Sequence, residues 1–113
     1  MARYLISFKN GEMVIPKEDM PDVSKAASAV VQETKDAGVF VFGGGLPADP
    51  DYAVVATDGT VTDGPYPESK AYIGGFSVVD VPSREDALEW AGRIAVACRC
   101  AQEVREFVPG STP

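Results

Sequence analysis

Between Thr62 and Phe76 the chain reads TDGPYPESKAYIGGF, which gathers Asp63, Tyr66, Glu68, Lys70 and Tyr72 into one short stretch. Asp63 and Glu68 are candidate catalytic groups, because a carboxylate works as a general base when burial raises its pKa. Lys70 and Arg105 are candidate anchors for an anionic ligand, the arginine by forking onto a carboxylate or phosphate. Tyr66, Tyr72 and Glu103 complete the candidate ligand-binding set. The bland reading of any one of these charges is a solvated edge or a surface ion pair. Asp63-Gly64-Pro65 is also ordinary turn chemistry, with Gly64 permissive in φ and Pro65 fixing it. A turn does not explain the charges that follow, nor Gly74-Gly75, where a strand gives up two side chains and can admit another backbone or a ligand.

Other chemistries find less support. The chain contains no histidine, so the usual pairing of a nucleophile with an imidazole base is missing and a triad hydrolase is not expected. Cys98 and Cys100 stand in CRC, where a disulfide would be strained. Two thiols also fall short of a four-ligand zinc site, so they read as small buried residues near a helix end, and neither a metal nor a cofactor is expected. Gly43-Gly44-Gly45 invites a phosphate, since glycine lets backbone amides approach an anion. It runs into Leu46-Pro47 and another strand instead of a helix, which favours a bulge or a sharp exit from a strand.

These residues must be held by elements that the pattern makes visible. Arg3 to Phe8 is a first strand, closed by Asn10-Gly11. From Asp22, residues Val23, Ala26, Ala27, Val30, Val31 and Thr34 recur at helical spacing, with Lys25, Gln32, Glu33 and Lys35 on the other side. Asp22 is the expected N-cap after Pro21, and Gly38 the stop. VFVFGG from Val39 is a strand expected to be buried on both faces. Asp58-Gly59 predicts a hairpin from about Tyr52 to Thr62. A strand from Tyr72 to Val81 follows, then a helix capped by Ser83 and Asp86 that carries Ala87, Leu88, Ala91, Ile94, Ala95 and Cys98. Gln102 to Val108 alternates as a last strand before Pro109, with Glu103, Arg105 and Phe107 on one face, and residues 110–113 are expected to fray.

The order strand, helix, strand, hairpin, strand, helix, strand fits two βαβ halves in an α+β, ferredoxin-like sandwich with an inserted hairpin, as a single domain over 1–113. Right-handed crossovers put both helices on one sheet face. The strand from Tyr72 is nevertheless apolar on both faces, and a second copy of the chain is the simplest cover for the other one. A net charge of −7 opposes nucleic acid and anionic membranes as partners. No apolar run approaches a membrane span and MARYLISFKNGE is too short in apolar residues for a secretory signal, so a cytoplasmic setting is expected.

The residues DGPYPESKAYIGGFSVVDVPSREDALEWAGRI, followed by EVREF, resemble the DGPF branch of the YCII-related family, and the helix ending in AGV and the GGGLPAD loop fall in family order. The resemblance implies a ferredoxin-like fold paired into a dimeric α+β barrel, sheet against sheet, and a homodimer. Members are proposed to carry a histidine and aspartate pair in a sheet-side cleft, which this chain cannot supply without a histidine. Tyr66 also replaces the phenylalanine of DGPF, Ala71 takes a place often acidic, and RIA stands for RIP. Members occur near or fused to extracytoplasmic-function sigma factors, which implies a regulatory setting. Two functions follow: a non-enzymatic ligand-binding or accessory protein with a small-molecule cleft between sheet and signature loop, or a small cytoplasmic enzyme using carboxylate acid/base chemistry there. A heme-linked oxygenase of the wider barrel class lacks its usual histidine ligand.

Because Glu68 lies in a segment with turn chemistry while apolar strands and helices carry the core, Glu68→Gln is expected to leave the melting temperature within a few degrees, as for surface substitutions costing about 0.5 kcal/mol or less. A large loss on thermal denaturation would make Glu68 structural.

Overall fold

The computed structural model describes residues 1–47, 52–64 and 73–113. In chain order these form β1 (Ala2–Lys9), a short 3-10 turn (Lys17–Asp19), α1 (Met20–Asp36), β2 (Phe40–Gly45), β3 (Ala53–Val55), β4 (Val61–Asp63), β5 (Ile73–Val81), α2 (Arg84–Cys98) and β6 (Glu103–Glu106). A four-stranded sheet runs β2-β5-β1-β6, and every described pairing in it is antiparallel. Each βαβ half is therefore split by a strand of the other: β5 lies between β1 and β2, and β1 between β5 and β6. The arrangement is α+β and compatible with a ferredoxin-like fold.

The helix ends show why the chain turns where it does. Ser83 Oγ accepts from the Asp86 amide at 3.2 Å and donates to Asp86 Oδ2 at 3.0 Å, which caps α2 as the sequence predicts. Gly38, at φ +74°, ends α1: its amide bonds the Lys35 carbonyl and the Val39 amide the Thr34 carbonyl, each at 3.0 Å. That pair of bonds is a Schellman ending, and glycine adopts its left-handed residue without a Cβ penalty. The start of α1 differs from expectation. The helix begins at Met20 with Pro21 in its first turn, so Asp22 is inside it, where its charge favours the N-terminal dipole without capping.

The hairpin pairs Val55 with Val61, and Gly59 alone of its turn has positive φ. The Gly59 amide bonds the Ala56 carbonyl at 2.9 Å, the Ala56 amide bonds the Thr60 carbonyl at 2.8 Å, and Asp58 Oδ1 accepts from the Thr60 amide. This is a turn with a glycine bulge, one residue longer than a two-residue connection. The hydrogen bond from Thr60 holds the Asp58 carboxyl below its ordinary value.

Two bulges then decide which side chains share a face. The register of β5 on β1 slips between Phe8 and Lys9, and that of β2 on β5 between Phe40 and Phe42. Beyond the slip at Gly74, Ile73 pairs with Lys9 and leaves the face that strict alternation assigns it with Val79 and Val81. The slip at Val41 puts Phe40 beside Val79 and Phe42 against Phe76, ring centroids 5.8 Å apart. The two phenylalanines of β2 thus serve opposite faces, contrary to simple alternation. Nor is β2 buried on both sides within one chain: it is an edge strand, and Phe42 is 63% exposed.

Tyr4, Ile6, Val79 and Val81 form the core with Ala87 and Ala91 of α2, joined by Trp90, Ile94 and Val104. The Tyr4 hydroxyl donates to Glu106 Oε1 at 3.3 Å, and burial together with that carboxylate pushes the phenol up. By contrast α1 buries only Val23 and Thr34. It leans on α2 through Arg93 to Glu33 at 3.3 Å, while Arg99 reaches Asp19 at 3.0 Å.

Arg99 is the described non-glycine residue with positive φ, at 56°, and it ends α2. That backbone costs a side-chain-bearing residue about 1–2 kcal/mol, whereas a half-exposed ion pair returns about 0–1 kcal/mol. Arg99→Gly is therefore expected to raise stability by up to about 1 kcal/mol in chemical denaturation. A clear loss instead would show that the tether to Asp19 outweighs the relieved backbone.

Candidate functional site

The space left between α1 and the sheet follows from which residues face each other there. Ser24, Ala27, Ser28 and Val31 of α1 are small or short, and they share the cleft with the glycine end of β2 and with Phe76 and Ser77 of β5. Small against absent leaves a gap, and the gap is a cleft of about 600 Å³. Phe8, Phe40, Ile94 and Ala97 supply apolar wall, while Ser77 of β5, Gln102 and Cys98 add polar atoms. Its size and mostly apolar lining are those of small-molecule sites.

The glycines play distinct parts around it. A Cβ at Gly75 would stand 2.6 Å from the Phe8 ring, and one at Gly74 3.0 Å from the Asn10 Cα. What the double glycine admits is therefore the chain's own Phe8 ring and Asn10 backbone. At Gly43 a Cβ would meet the Phe76 carbonyl oxygen at 2.7 Å, whereas at Gly44 and Gly45 nothing lies within 4 Å. Gly43 is needed for strand contact, and Gly45, which lines the cleft, leaves room in it.

Charge in the cleft is sparse. Among the described residues Lys35 is its one charged lining group, and no carboxylate lines it. The Lys35 ammonium sits 5.5 Å from the centroid of the Phe40 ring, a distance at which the ring face attracts a cation. The nearby Asp36 carboxylate accepts from Gln32 Nε2 at 2.9 Å, and no described carboxylate lies within ion-pair distance of Lys35. Burial pushes the Cys98 thiol up, and burial with the neighbouring Cys98 and Glu12 does the same for Cys100. Neither thiol has the electropositive setting that makes a nucleophile. Among the described residues no group of three or more histidine, cysteine, aspartate or glutamate side chains is placed to hold a metal ion.

The residues singled out from the sequence lie elsewhere. Asp63 ends β4 in the separate two-stranded sheet, opposite Ala53, and is exposed. Glu103 and Arg105 lie on edge strand β6 opposite Ser7 and Leu5, on the sheet face away from the core. Glu103 takes Lys9 at 3.4 Å, and no described carboxylate is within ion-pair distance of Arg105. None of these three lines the cleft. Tyr66, Glu68, Lys70 and Tyr72 lie outside the described residues. Lys35 escapes the sequence reading because helical periodicity places it with the solvent-facing side. Its signal is the spacing of Ser24, Ser28, Val31 and Lys35, at steps of four, three and four along one helix stripe.

The open face of the sheet is the second feature of note. Leu5, Phe76 and Val78 are partly exposed there, beside Phe42 and Ile73 at 63% and 42% exposure. Arg3 with Asp80 at 3.8 Å, and Lys9 with Glu103, flank this apolar strip. Among the described residues no helix is long and apolar enough to cross a membrane.

Gly43→Ala is expected to cost about 1–3 kcal/mol, because the clash is with backbone. Gly45→Ala should be neutral or gain a few tenths, since it meets open space and restrains the unfolded chain. Urea denaturation of the pair checks the distinction, and equal losses would mean that Gly45 is packed.

Comparison with known families gives one result that covers the chain. The model of the YCII-related domain matches residues 2–109. No curated protein matches.

Proposed function

The chain belongs to the YCII-related family, and we propose that it is a homodimeric, non-enzymatic small-molecule-binding protein of the family's DGPF branch. The observation that carries ligand binding is the cleft itself: about 600 Å³, mostly apolar, with a single described cation and neither a carboxylate nor an activated thiol in its described lining. Such a lining can hold and orient a molecule, and it offers no described group suited to move a proton at neutral pH. The signature residues Asp63, Tyr66, Glu68, Lys70 and Tyr72 are assigned no catalytic step in this reading.

Pairing is supported by the open sheet face. An uncovered apolar strip around Phe42, Phe76 and Val78 is the sort of surface that a two-fold contact closes with no other gene product. Sheet against sheet gives the dimeric α+β barrel, with the Arg3–Asp80 and Lys9–Glu103 pairs and Arg105 toward the margin. The contact should bury more than roughly 800 Å². A cytoplasmic accessory role, in the neighbourhood of an extracytoplasmic-function sigma factor, belongs to the same proposal.

Native mass spectrometry of the purified protein tests both halves. The expected result is a dimer that carries a copurified small molecule, and a Phe42→Asp variant that is monomeric or unfolded. A folded monomer at micromolar concentration, confirmed by sedimentation, would overturn the barrel. A dimer that binds nothing from a broad small-molecule library would overturn the binding role.

A further inference from the structure

We infer that the cleft between α1 and the sheet takes an apolar monocarboxylate, whose tail lies along the helix stripe and whose carboxylate meets Lys35. This inference rests on the ligand-binding reading above and specifies the chemical class. Ser24, Ser28, Val31 and Lys35 all line the cleft. Ser24 and Lys35 are eleven residue steps apart on the helix, about 16.5 Å at 1.5 Å per step. The stripe is therefore long and narrow, with its charge at one end. Opposite it stand the Phe8 and Phe40 rings and the side-chain-free strand of Gly43 to Gly45. An extended apolar body fits such a wall.

The charge at the end selects the sign of the ligand. Lys35 is exposed at the mouth of the cleft, with its ammonium 5.5 Å from the centroid of the Phe40 ring, a contact that leaves the ammonium's hydrogens available. No described acid neutralises it, although Glu33 and Asp36 are its near neighbours in sequence: Glu33 is taken by Arg93 and Asp36 by Gln32. A basic residue in the last turn of a helix also complements the dipole, and that role alone would be served by a lysine pointing to solvent. One ammonium and no other charge in the described lining matches one carboxylate. A cation would meet repulsion there, screened in part by solvent. The chain's net charge of −7 works against anions at long range, so the local ammonium and the apolar contact must together supply the affinity.

Octanoate and 1-octanol share a tail and differ in the head group, and 3-phenylpropanoate replaces the tail by a ring. Titration calorimetry of the full chain with these three probes is the test. Octanoate is expected to bind about tenfold more tightly than 1-octanol, and Lys35→Met to erase that tenfold while leaving 1-octanol unchanged. Methionine keeps contact with Phe40, and circular dichroism would verify that the fold survives. Gly45→Leu, which puts a side chain into the cleft, should abolish binding of every probe. Tighter binding of 3-phenylpropanoate than octanoate would assign the ligand to aromatic acids within the same class. If 1-octanol binds as well as octanoate, or Lys35→Met weakens both equally, the carboxylate class fails while the binding cleft stands. If none of the three binds to the unmodified protein, the monocarboxylate class falls, and the library screen described above decides the binding role separately.

Discussion

Helix α1 can bury only what the sheet offers it, and the sheet offers it glycine. On the α2 side, Ile6, Val79 and Val81 meet Ala87 and Ala91 and exclude solvent almost entirely. On the α1 side, the cleft is lined by Gly43 and Gly45, which offer no side chain to pack against. The two helices are similar in length, 17 and 15 residues, yet one closes a core and the other roofs a cleft. The difference lies in the strands beneath them. Because exposed or half-exposed ion pairs contribute little, Arg93 to Glu33 and Arg99 to Asp19 orient α1 more than they stabilise it. A helix with two buried residues belongs to the least stable part of a domain.

The same glycines explain how much of this was legible in the sequence. Element types and order follow from local signals: Ser83 and Asp86 open α2, Gly38 closes α1, and Asp58-Gly59 turns the hairpin. Each is a short-range effect with a short-range cause. The two bulges are different, because a bulge is a property of a strand and its neighbour together. Nothing in VFVFGGG alone says that Val41 will be skipped, so Phe40 and Phe42 look like one face until β5 is laid beside them. Ile73 changes side for the same reason, with Gly74 as the extra residue.

The candidate site was harder still to read. Charged residues clustered in sequence draw the eye to Asp63, Glu103 and Arg105, which the fold distributes over a hairpin and an edge strand. The cleft is made of segments far apart in the chain, and largely of what they lack. Absence of side chains has no periodicity of its own. Lys35 shows the limit of helical-wheel reasoning most clearly: a long side chain of the polar stripe stays exposed and still reaches the mouth of the cleft, beside the Phe40 ring.

One sheet thus has two unfinished faces, and the strand β5 connects them. Phe76 points into the open strip with Phe42, and the next residue, Ser77, lines the cleft. Strand pleating makes it impossible to shift one without the other, since alternate side chains share a backbone held on both edges by hydrogen bonds. Whatever covers the open strip fixes β5 and the edge strand β2, and with them the floor of the cleft. Whatever fills the cleft supplies α1 with the apolar contacts that its own sheet withholds, and by linkage stabilises the folded chain in proportion to its occupancy. Cover on one face and filling on the other therefore act on the same glycine-rich corner, where the chain has invested least of its own packing.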